Sequence, residues 1–155
     1  MRIAALIIAL LCGIAVLTGI FLPWGEVSGS ILGVDWSSSA TGLDVISNSG
    51  WDISDFALSD NMHAVLVLIG AAIMLVCAFP ALILAASSGS AKGAHTAFGI
   101  LISLGAVIAI GGLIWFFVDM SSVENWTDFI GHGIYVCWGG AVPGLIFGLL
   151  AAAKK

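Results

Sequence analysis

The chain has 155 residues, 61% of them hydrophobic and 8% charged, with a mean hydropathy of +1.18 and a formal net charge of −5. A water-soluble fold has no means of burying that much apolar surface, so composition alone puts the chain in a membrane. With only four basic residues on an acidic chain, nucleic-acid binding is excluded as well.

Four stretches are each long enough to cross about 30 Å of hydrocarbon at about 1.5 Å per residue. They are residues 3–22, 64–86, 95–118 and 130–153, and none contains Asp, Glu, Lys or Arg. The first follows Arg2 as a secretory signal would, but its apolar run is too long and no small-x-small cleavage site follows, so it reads as a retained helix. Leu10 and Leu11 before Cys12 also argue against a lipoprotein processing site. The three cysteines, Cys12, Cys77 and Cys137, all fall inside these spans and read as small packing residues rather than disulfide partners.

Residues 23–63 form the one sizeable region outside the membrane. Trp, Ile, Val, Leu and Phe are interleaved there with Ser and Asp, a composition that folds rather than one that stays disordered. Between Glu26 and Ser38, β-type residues broken by Gly29 and Gly33 predict two short strands around a turn. Between Trp51 and Asp60 bulky apolar residues alternate with carboxylates, which predicts a short surface helix. Asp52, Asp55, Asp60 and His63 supply hard oxygen and nitrogen ligands in one neighbourhood, but without the glycine or ligand rhythm of an EF-hand they read as a solvated acidic face, and no metal site is assigned.

The connection over residues 87–94 is short and rich in Ser and Gly, so the second and third spans should form an antiparallel hairpin with no room for a domain between them. Gly99, Ser103, Gly105 and Ala109 give the third span a loose row of small residues. Residues 119–129 form the second, smaller outer loop, where Asn125-Trp126-Thr127 is a glycosylation sequon beside the bilayer. In the last span Gly140, Gly144, Gly148 and Ala152 recur every four residues, placing small side chains on one stripe where another helix can approach, in the same bundle or in a second subunit. Pro80 and Pro143 each remove a backbone donor from their spans and should kink or locally loosen them.

All four basic residues, Arg2, Lys92, Lys154 and Lys155, lie on one side of the spans, and all nine acidic residues lie on the other. The positive-inside pattern then predicts cytoplasmic N- and C-termini in a cell membrane, with both longer loops outside. Trp24, Trp115 and Trp126, with Phe116 and Phe117, fall near the predicted outer boundary, where aromatic rings favour the headgroup region. At membrane depth the spans offer no ionisable group except His95 and His132 near their ends, which argues against a coupled carrier or proton relay. His132, flanked by Gly131 and Gly133, reads as a boundary histidine rather than a sensor. There is no glycine-rich phosphate loop, CxxC, HExxH or GxSxG, so neither a catalytic residue nor a cofactor is assigned.

Four spans, a large first outer loop, a smaller second one and Leu22-Pro23-Trp24 after the first span give the chain a layout that resembles small prokaryotic tetraspan membrane proteins. More distantly it resembles the claudins, which also place Pro and Trp after the first helix, build the first loop from strands and assemble side by side into barriers or ion-selective passages. Where claudins carry Gly-Leu-Trp followed by a cysteine pair, this chain has Gly42-Leu43-Asp44 and no loop cysteine. The sequence thus predicts a single all-α membrane domain over residues 1–155, a four-transmembrane-helix bundle with a small β-containing first outer loop. Its expected role is non-enzymatic and structural, through self-association in the lipid bilayer. The alternatives are an accessory subunit of a larger membrane complex, or a passive cation pore with an acidic mouth.

Overall fold

The computed structural model describes residues 2–31, 34–43, 62–87, 92–121 and 126–153. Four long helices dominate: α1 (Arg2–Phe21), α2 (Met62–Ala86), α3 (Lys92–Met120) and α4 (His132–Ala153). All four are long and apolar enough to cross a membrane, and the molecule is a multi-pass integral membrane protein. Between α1 and α2 stands an antiparallel hairpin, β1 (Pro23–Ile31) with β2 (Val34–Thr41), and a 3-10 turn at Trp126–Phe129 leads into α4.

The helices form a closed ring in chain order. α1 packs on α2, α2 on α3, α3 on α4 and α4 back on α1, while the diagonal pair α1 and α3 barely touch. The reason is visible in the spacing of buried residues. In α2 a seam of them runs through Ala64, Val67, Ala71, Met74, Ala78 and Ala81, flanked by Gly70 and Cys77, and in α4 through Ile134, Cys137, Ala141, Gly144, Gly148 and Ala151, flanked by Gly133 and Gly140. Alternating steps of three and four residues keep a seam facing the same way along a left-handed bundle, the geometry of 3-4 helix packing. His95, Gly99, Ile102, Ala106, Ala109, Leu113 and Phe116 continue the pattern in α3.

Most seam residues are Ala, Gly or Cys, so the backbones come close and dispersion contacts, not expulsion of water, hold the helices together in lipid. Large side chains such as Val76, Phe79, Ile100 and Ile146 point outward instead. Pro80 and Pro143 both lie within continuous helix.

The strands run longer than the sequence pattern indicates. β1 begins at Pro23, and Gly29 does not break it but pairs with Trp36. The predicted surface helix over residues 51–60 and the glycosylation candidate Asn125 lie outside the described residues, as do Asp52, Asp55 and Asp60.

Candidate functional site: the hairpin anchor

At the root of the hairpin the register slips: Pro23 pairs with Thr41, but Gly25 pairs with Ala40, leaving Trp24 as an extra residue in β1. A β-bulge of this kind re-aims the side chain it carries. Here the indole turns into the end of the helix bundle, where the residue is only 1% exposed. Trp24 is therefore not one of the headgroup-facing rings that its place after the first span suggests.

Each helix contributes a wall to the Trp24 pocket. From α1, the Gly19 carbonyl accepts a hydrogen bond from the indole Nε1 at 2.9 Å and another from the Leu22 N–H at 3.3 Å, which satisfies an otherwise orphaned carbonyl at the helix C-terminus. From α2, the His63 ring stacks on the indole at 6.2 Å between centroids and 28° between planes, and from α3 Phe116 meets it edge-on at 5.6 Å. The fourth wall is backbone. A β-carbon on Gly133 of α4 would stand 2.8 Å from the indole Cδ1, and one on Gly42, just past β2, would stand 2.7 Å from its Cε2. The indole fits because both positions are glycine.

Two further ties fasten the hairpin to α4. The Gly131 N–H donates to the Trp24 carbonyl at 2.8 Å, and Gly25 forms a bridge with Ile130. At the surface His132 Nδ1 lies 3.4 Å from Glu26 Oε1; with the two side chains 85% and 45% exposed, that pair orients more than it stabilises.

His63 is 5% exposed and sits 5.2 Å from Phe116 as well as on Trp24. Its Nδ1 is buried and has no hydrogen-bond partner among the described residues. Asp119, one turn beyond Phe116, is close enough to act electrostatically on it. Its counterpart at the opposite end is His95, also buried with an unpartnered Nδ1. Among the described residues no group of three or more His, Cys, Asp or Glu could hold a metal ion.

The small-residue stripe of α4 turns inward along its whole length. β-Carbons on Gly140 and Gly148 would stand 2.6 Å from the Cys12 carbonyl oxygen of α1 and from the Ser103 Oγ of α3, and Gly144 makes room for the methyl end of Met74 from α2. Ala152 backs onto Gly99, where a β-carbon would lie 2.6 Å from the Ala152 nitrogen. One stripe thus serves three neighbours within a single bundle. In α3 the loose row splits, with Gly99 and Ser103 facing α4 while Gly105 and Ala109 face Gly70 of α2.

The sequence pattern singled out the stripe, both histidines and Trp24, but not the bulge that makes Trp24 a plug. No period-2 or period-3.6 signal carries a bulge; the nearest hint is the run of glycines, Gly19, Gly42, Gly131 and Gly133, on segments far apart in the chain. Known family models and curated proteins give no match to this chain.

Proposed function

We propose that the protein is a non-enzymatic structural element of the membrane that self-associates through its β-hairpin, with the helix bundle as the mount. The observation that carries this reading is the anchoring of Trp24, which ties the root of the hairpin to all four helices at once. A pair of strands alone is marginal in water, and one fastened at its root offers backbone edges in a set orientation to a second copy. The glycine stripe is consumed inside the bundle, so the hairpin and not α4 is the contact surface in this reading.

Four spans support a tetraspan layout, and in this reading strands directly after the first helix are the feature it would share with claudins. A passive cation pore along the axis of one bundle is disfavoured because the seam residues fill that axis; a conducting path would have to form between copies.

Native mass in nanodiscs tests the proposal. The expected result is a uniform homo-oligomer that Ser39→Pro, placed in the β2 ladder opposite Glu26, converts to a smaller species with unchanged helix melting. A stoichiometric foreign subunit would favour the accessory role instead, and a strictly monomeric protein would overturn self-association.

A further inference from the structure

We propose that His63 is a proton-operated latch on the hairpin anchor: protonation of its imidazole loosens Trp24 and makes the root of the hairpin more mobile on the bundle. This deepens the reading of the hairpin as a contact surface, and rests on that reading for its consequence but not for its mechanism.

The latch follows from three features of one pocket. The first is position, since His63 stacks on the same indole that holds the hairpin and also touches Phe116, so that the three rings form one triangle. The second is burial: the residue is only 5% exposed, and the two rings against it, Trp24 and Phe116, present no acceptor to it. The third is the orphan Nδ1. A neutral imidazole tolerates an unpaired ring nitrogen better than an imidazolium does, because in the charged form both nitrogens are obligatory donors. Proton uptake from solvent therefore gives the pocket a charged donor at Nδ1 that has no hydrogen-bond acceptor among the described residues.

Of the elements packed around it, α1, α2 and β1 present no charge to the imidazole among the described residues; α3 presents Asp119, towards the hairpin end of the bundle. Glu26 of β1 is engaged with His132 of α4 at the surface. The relief open to a protonated His63 is to swing out of the aromatic slot towards Asp119 and water. The indole then loses its stacking partner but keeps the edge of Phe116 and the bond to Gly19, while the main-chain ties of Trp24 to Gly131 and of Gly25 to Ile130 remain to be strained by the loosened ring.

A nitroxide attached to Ser39→Cys, an exposed position at the root of β2, reads the latch directly while the three native cysteines remain buried. In nanodiscs the mobile fraction of its spectrum should rise several-fold on acidification from about pH 7.5 to about pH 4.5, a sweep that extends about two units below the ordinary histidine value of about 6.5. His63→Phe, which fills the slot with a ring that cannot take a proton, should hold the spectrum in its ordered form at both pH values. His132→Gln and His95→Gln should retain the full response. If His63→Phe fails to fold, His63→Met takes its place with the same expected result. An unchanged wild-type spectrum, an acid response that persists without His63, or one that disappears with His132 or His95 overturns the latch. Because label mobility is read at the root in a single chain, a monomeric protein that still shows the response would remove self-association and leave the latch standing.

Discussion

Two adjacent glycines in α4 show how far one position can differ from the next. Gly140 faces α1, where an added β-carbon would meet the Cys12 carbonyl oxygen at 2.6 Å and the Val16 nitrogen at 2.9 Å, and backbone atoms do not step aside. Gly139 faces outward with nothing within 4 Å. Gly140→Ala should therefore destabilise the bundle by about 1–3 kcal/mol, the usual range for overpacking, whereas Gly139→Ala should leave melting in detergent unchanged or slightly raised. Gly144→Ala should fall between them, because the obstacle there is the end of the flexible Met74 side chain, which can swing. Equal losses at all three positions in a thermal melt would contradict this ranking. The four-residue recurrence of small residues was legible in the sequence. Which of them meet rigid backbone was not, since that depends on how the neighbouring helices are rotated.

The element that most depends on one side chain is the hairpin. Trp24→Phe keeps an aromatic ring beside His63 and Phe116 but leaves the Gly19 carbonyl without the indole donor, a loss of about 0.5–1.5 kcal/mol. Trp24→Ala empties the pocket as well, and core truncations of that size cost about 3–5 kcal/mol. Limited proteolysis within residues 23–41 should accelerate modestly in the first variant and strongly in the second, with helix content by circular dichroism retained in both. Equal cleavage in wild type and Trp24→Ala would show that the indole does not hold the hairpin. The presence of strands in this region follows from its Val, Ile and Trp content. The bulge that gives them an anchor is a register event between segments some 15 residues apart, and local composition is silent about it.

For the whole molecule, the segregation of charge predicts an orientation that accessibility can check. Arg2 and Lys92 open α1 and α3 at one end of the bundle, while Glu26 and Asp119 lie at the other. In intact cells Ser39→Cys should react with an impermeant thiol reagent and Ser87→Cys, exposed beyond the end of α2, should not; labelling at Ser87 alone would invert the topology. The number of spans, their antiparallel succession and the separation of acidic from basic residues all follow from the sequence, because the bilayer imposes one length and one polarity rule on every crossing segment. The order of helices around the ring, the turning of the α4 stripe into its own bundle and the sealing of Trp24 and His63 beneath the hairpin were decided only in three dimensions. Each depends on which face of one helix meets which face of another, and a helix embedded in lipid is apolar on every side, so hydrophobicity cannot say which face that is; close packing between backbones does.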